Sequence, residues 1–234
     1  MRNSLLFLFT AIIFISCDSI SGKGNIKKEN RQVSEFEAIK NSGSIDLKIR
    51  IGDTYKVEVE DYENLLQHIV TEVDNGVLEI HFENGLSVMN TKTTVFVTVP
   101  SLKKLSSTGS SDTEISGVLT STSALEFSVT GSATIKGEVD APSVKVNITG
   151  SGEMNLRGKT QNMECKISGS GDFNGRDLKS ENCTVTVSGS GDAKVFASVK
   201  LEAKVSGSGD ITYGGNPPDT KIKQSGSGTI NPEK

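Results

Sequence analysis

The sequence predicts an all-β fold: a right-handed parallel β-helix, or β-solenoid, with coils of about 19 residues. Three observations predict it. A short phrase recurs seven times, as TGSSD, TGSAT, TGSGE, SGSGD, SGSGD, SGSGD and SGSGT, with first glycines at 109, 131, 150, 169, 189, 207 and 226. Apolar and polar residues alternate on both sides of each phrase, and the apolar positions fall in the same columns in successive repeats. No repeat holds the 10–15 helical residues that a βαβ crossover requires.

Counting back from each glycine gives the candidate core. Two residues before it stand Val129, Ile148, Ile167, Val187 and Val205. Four before it stand Leu105, Phe127, Val146, Cys165, Val185, Ala203 and Ile222, and six before it Leu125, Val144, Met163, Cys183 and Leu201. Period-two alternation is a strand with one face buried, and column alignment makes the strands stack in parallel. A second strand follows each corner, with Ile135, Met154, Phe173, Ala193, Ile211 and Ile230 four residues past the first glycine. Turn residues at Asp140–Ser143 and Asn216–Asp219 mark the returns. Gln224 replaces the aliphatic residue in the last coil, as a terminal capping coil requires.

The chain divides into a leader, a tether and one solenoid domain. Leu5 to Ile15 is an apolar run after Met1-Arg2, too short for a permanent bilayer span, so residues 1–16 read as a signal peptide. Phe14-Ile15-Ser16-Cys17 is similar to a bacterial lipobox, which makes Cys17 the lipidation site and the membrane the first partner. Residues 17–28 read as the lipidated anchor and a flexible polar tether. The domain spans 29–234, with irregular, wider coils over 29–100 and regular coils over 101–234. Within 29–100, Asn41-Ser42-Gly43-Ser44-Ile45-Asp46 is a worn corner, Asn75-Gly76 a hairpin turn, and Glu63 to Val70 one short helical turn or two. The expected location is the cell envelope, anchored at the outer membrane or surface. Without Arg2 the chain carries 24 cationic and 29 acidic side chains, a net charge of −5. That balance gives no footing for nucleic acid.

Few residues offer chemistry. Three positions past each first glycine, Glu153, Asp172, Asp192 and Asp210 form a run of acids about 5 Å apart. Three readings stay open: turn acids that are solvated or bonded to nearby N–H groups, a calcium or other hard-cation site, or a carboxylate pair for glycoside cleavage. The third needs a cleft and stacking platforms, and the chain has no Trp and three Tyr. The serine column, Ser110 to Ser227, reads as a hydrogen-bonding ladder rather than a set of nucleophiles. His68 and His81 lack the companions of a zinc site. Cys165 and Cys183 fall in different inward columns of neighbouring coils, with α-carbons roughly 8 Å apart, too far for a disulfide.

Arg31-Gln32-Val33…Phe36…Ile39, then Asn64-Leu65-Leu66…Ile69…Thr71 to Ile80, then the run of Ser-Gly-Ser-Gly-Asp corners, resemble the exported "head GIN" domain family over residues 29–232. That family carries the labels auto-transporter adhesin and domain of unknown function. The resemblance implies a β-helical, exported and often lipid-anchored bacterial protein, and brings no catalytic residues. The expected function is a non-enzymatic envelope lipoprotein acting as a binding, adhesion or structural surface, with glycans or envelope and host surface proteins as its partners. The competing expectation is a carbohydrate-active enzyme, or a calcium-stabilised glycan-binding solenoid, that uses the acid run.

Overall fold

The computed structural model describes residues 18–233; residues 1–16, expected to be a signal peptide, and Cys17, expected to be lipidated, lie outside the described residues. Its front part holds β1 (Asp18–Ser21), β2 (Ile26–Arg31), β3 (Ala38–Gly43), β4 (Asp46–Ile51), β5 (Lys56–Tyr62), β6 (Ile69–Asp74), β7 (Val77–Phe82), β8 (Leu86–Met89) and β9 (Thr94–Val99). The regular part continues with β10 (Lys104–Gly109), β11 (Asp112–Thr120), β12 (Leu125–Gly131), β13 (Thr134–Gly150), β14 (Glu153–Gly169), β15 (Asp172–Asn174) and β16 (Leu178–Gly189). It ends with β17 (Ala193–Phe196), β18 (Lys200–Gly207), β19 (Ile211–Gly214), β20 (Asp219–Gly226) and β21 (Ile230–Pro232).

From β10 onward each strand pairs in parallel with its counterpart one repeat later, and the corner glycines are register partners throughout. The result is a β-solenoid of seven regular turns about 19 residues apart. Every corner glycine from Gly109 to Gly226 holds a positive φ, from 100° to 130°. A side chain at Gly189 or Gly207 would also collide with the main chain of the corner below. Glycine is thus required twice, for the turn and for the close approach of rungs. The column at Val129, Ile148, Ile167, Val187 and Val205 is buried, as are Phe127, Val146, Cys165, Val185 and the post-corner Ile135, Met154 and Phe173. Each such aliphatic side chain contributes about 1.5–3 kcal/mol.

The structure departs from the sequence reading in four places. The return at Asp140–Ser143 is no break: β13 runs through it, with Ala141 turned inward and buried. Pro142 is exposed there and takes no part in the register. Ile222, expected inside, is 45% exposed, because β20 belongs to the last turn and nothing covers it.

Residues 29–100 are not a sequence of wider coils. β3 and β4 do form a turn below β10 and β11, with Gly43 opposite Gly109, so the worn corner is in register. β7 and β9 then lie below β3 and β4, although they come later in the chain. The remaining strands run antiparallel: β6 on β7 through the Asn75–Gly76 turn, β5 on β9, and β2 on β5. Alternation reveals a strand but not its partner, and the open edge of the first layer is closed by reversing the chain. A single 3-10 turn, Leu66–His68, fills the stretch expected to be helical.

Residues 18–28 are not a flexible tether. Asp18–Ser21 pairs in parallel with Leu86–Met89, and Ile26–Arg31 pairs with β5. Their pairing comes from strand edges elsewhere in the fold, which local composition does not reveal.

Candidate binding surface

The column of corner acids extends back to the worn corner. Asp46 stands in the place later taken by Asp112, Glu153, Asp172, Asp192 and Asp210, and all are exposed. The carboxylates of Asp46, Asp172, Asp192 and Asp210 accept main-chain donors from the next rung. Asp46 Oδ1 accepts from the Asp112 N–H at 2.9 Å, Asp172 Oδ1 from Asp192 at 2.9 Å, and Asp192 Oδ1 from Asp210 at 2.8 Å. Asp210 Oδ1 takes both the N–H and the hydroxyl of Thr229, at 2.7 and 2.8 Å. Glu153 accepts instead from the Asn155 amide at 2.7 Å.

In the last rungs the reason lies in the glycine before the bonded residue. Gly191 and Gly209 turn their N–H groups toward the carbonyls of Gly169 and Gly189, at 3.1 Å each. The next N–H is thereby left without a carbonyl below it, and the aspartate side chain supplies the acceptor. These bonds hold the Asp210 carboxyl below its ordinary range: first the Thr229 hydroxyl, then its N–H, favour the charged form. A general acid for glycoside cleavage requires the opposite shift. Among the described residues, no group of three or more His, Cys, Asp or Glu converges to hold a metal ion.

The serine ladder is made by the main chain. Ser132, Ser151, Ser170, Ser190 and Ser208 each donate an N–H to the glycine carbonyl one rung below at 2.8 Å, and their side chains face solvent. Together with Thr108, Thr130, Thr149, Ser168 and Ser188 on the other side of the glycines, they leave two hydroxyl rows along one edge of the rod. His68 Nδ1 lies 2.7 Å from Glu83, and His81 Nδ1 lies 2.7 Å from the Phe82 carbonyl oxygen. Cys165 and Cys183 are free and buried; Cys165 stands opposite Val185 and Cys183 opposite Met163, the offset expected.

Sequence reasoning missed the clefts on the flanks. One, of about 430 Å³, is lined by Pro142, Lys159, Gln161, Lys179, Glu181 and Phe196, among others. Lys179 Nζ sits 4.3 Å from the Phe196 ring centre, so the ring presents a partly covered apolar platform beside polar groups. A second, of about 310 Å³, opens beside Gly137, between Glu114, Glu138, Asn155, Arg157 and Asp177. The lack of a side chain at Gly137 was the available signal for it.

Solved structures share this architecture. A "putative adhesin" from Bacteroides fragilis superposes with a TM-score of 0.85 at 23% identity, over 92% of this chain and 100% of that one. A "putative lipid binding protein" from Parabacteroides distasonis gives 0.77 at 25% identity, over 93% and 100%. A "putative adhesin" from the same species gives 0.76 at 25% identity, over 92% and 100%. No curated protein is significantly similar. The profile of one family matches residues 35–217, and the chain therefore belongs to the family described as "Putative auto-transporter adhesin, head GIN domain".

Proposed function

We propose that this protein is a non-enzymatic cell-envelope lipoprotein, exported and acylated on Cys17, whose solenoid is a rigid binding surface for extended glycans. One observation carries the reading: the corner aspartates are committed to the main chain of the next rung, while open clefts line the flanks. Bonded carboxylates on a solvent-exposed edge stiffen the corner. The flank cleft at Phe196 combines an apolar ring face with the amide of Gln161 and the carboxylate of Glu181, a pairing that suits the alternating CH and OH surfaces of sugars. The adhesin name of the family and of two structural neighbours supports the same class of role.

The test is a glycan array probed with the full chain and with Phe196→Ala and Gln161→Ala. Retention of a glycan by the parent, lost in both variants at unchanged melting temperature, is the expected result. Capture of envelope or host surface proteins with no glycan retained replaces the partner class. Retention of neither refutes the binding role. Polysaccharide cleavage that disappears in an Asp172→Asn/Asp192→Asn double variant refutes the non-enzymatic reading. Calcium is expected to leave the melting temperature unchanged, since the carboxylates are already partnered; a rise would restore the cation site.

A further inference from the structure

The segment that follows Cys17 is bolted to the body. β1 lies parallel to β8, with Asp18 opposite Leu86 and Ile20 opposite Val88. Beyond β1, the Gly22 N–H donates to the Met89 carbonyl at 3.0 Å, and the Asn90 side-chain amide donates to the Gly22 carbonyl at 3.0 Å. Asn64 closes the other side: its amide donates to the Ser21 carbonyl at 3.0 Å, and its oxygen accepts the Lys23 N–H at 2.7 Å. The Glu63 N–H reaches the Asn25 carbonyl at 3.0 Å. Asn90 holds φ 52°, a left-handed turn for which asparagine is well suited. Gly22 is packed against the Asn90 carbonyl and the Tyr62 ring so closely that any side chain there would collide.

The bolt also has a place in the rod. β8 connects β7 and β9, the two strands of the layer that β5, β6 and β2 cover at the N-terminal end. Beside it opens a cleft of about 330 Å³ lined by His81, Phe82, Leu86 and Val88, and Met89 is 54% exposed. Asp18, the first residue of β1, directly follows Cys17 in the sequence, so no spacer separates the acylation site from the bolt. The opposite end, at β20 and β21, is eight layers away, about 38 Å.

We propose that this bolt joins the lipid anchor to the rod without slack, so that the end carrying β8 rests on the headgroups of the bilayer and the C-terminal turn stands away from it. The inference rests on the acylation of Cys17 proposed above. An exposed column of carboxylates runs along one edge of the rod, and a rod lying on that edge would press charge of the same sign against anionic lipids. Standing on its N-terminal end separates the two.

The test uses the lipidated full chain in vesicles of phosphatidylcholine and phosphatidylglycerol that carry a headgroup nitroxide. A fluorophore is placed at Met89→Cys or at Ile222→Cys; Cys165 and Cys183 are buried and stay unlabelled. Given the ~38 Å separation, quenching about fivefold stronger at 89 than at 222 is expected, and the difference shrinks when Asn64→Ala and Asn90→Ala release the bolt. Equal quenching at both sites in the parent overturns the proposed orientation. Amide exchange of residues 19–25 is measured separately in a Cys17→Ser chain without lipid. Slow exchange supports the bolt, and random-coil rates overturn it. An unmodified Cys17 by mass spectrometry overturns the acylation reading and the orientation that rests on it, while the exchange result still decides the bolt.

Discussion

The second glycine of each corner is matched to the residue beneath it. A Cβ at Gly171 would lie 2.5 Å from the Ile148 side chain and 2.6 Å from the Gly152 carbonyl oxygen. A Cβ at Gly152 would collide with Val129, and one at Gly228 would come within 2.8 Å of Val205. Where the lower residue is Asn41 instead of an aliphatic, the upper corner position holds Ser111, and the two side chains lie 3.2 Å apart. Bulk is thus shared between two positions on neighbouring rungs. Gly171→Ala is expected to cost about 1–3 kcal/mol by overpacking. Combined with Ile148→Ala, the total should fall short of the sum of the single losses by roughly 1 kcal/mol, as a double-mutant cycle in urea will measure. Asp210 gives a pH test. Its folded-state pKa lies below the ordinary 3.8, so its contribution is full above that value and is lost as pH falls through the folded-state value. Protection of the Thr229 amide should fall over that same acidic range, and protection that is flat across it would refute the carboxylate's role as acceptor.

At the scale of the strand, the inward columns decide the fold. Val187 is fully buried between Ile167 and Val205. Val187→Asp puts an unpaired charge into that column and is expected to cost more than about 3 kcal/mol, since such a charge has no partner in reach; thermal melting will show it as loss of the cooperative transition. These columns were legible because two independent periods, the two-residue alternation and the 19-residue repeat, point to the same side chains. The front was legible only as strands. Lys56–Tyr62 alternates as clearly as any repeat strand, yet its antiparallel partners, Ile26–Arg31 and Thr94–Val99, are set by which edges are left open in space. The corner acids were found at the right positions, but their bonding was hidden, because it depends on where the glycine N–H groups turn. The Phe196 cleft was invisible for a similar reason: its lining residues occupy different columns in the repeat and only the folded return brings them together.

The whole molecule is a rod with unlike ends. The N-terminal end is wrapped by β2, β5 and β6, while β20 lies exposed along its length. Pro217, Pro218 and Pro232 flank that last turn, and Lys221 and Lys223 stand on it, which discourages a second chain from pairing there. The two thiols report on the integrity of the rod. Burial raises Cys183 to about 12 and Cys165 well above its ordinary value. Alkylation at pH 8 should therefore be negligible in the native protein and rise with the unfolded fraction in urea; brisk labelling of either thiol in buffer would contradict its burial.

The chain order of the first layers governs assembly. Ala38–Ile51 is sandwiched between Val77–Val99 on one side and Lys104–Thr120 on the other. Its two strands have no parallel partner complete until some fifty further residues, through Val99, have been delivered, whereas each later turn adds to a finished surface. Folding of such a chain waits for a long-range nucleus and then zips toward the C terminus. A polypeptide built this way stays threadable through a translocon while it is being passed across a membrane, and closes only once the strands through Val99 have arrived on the far side.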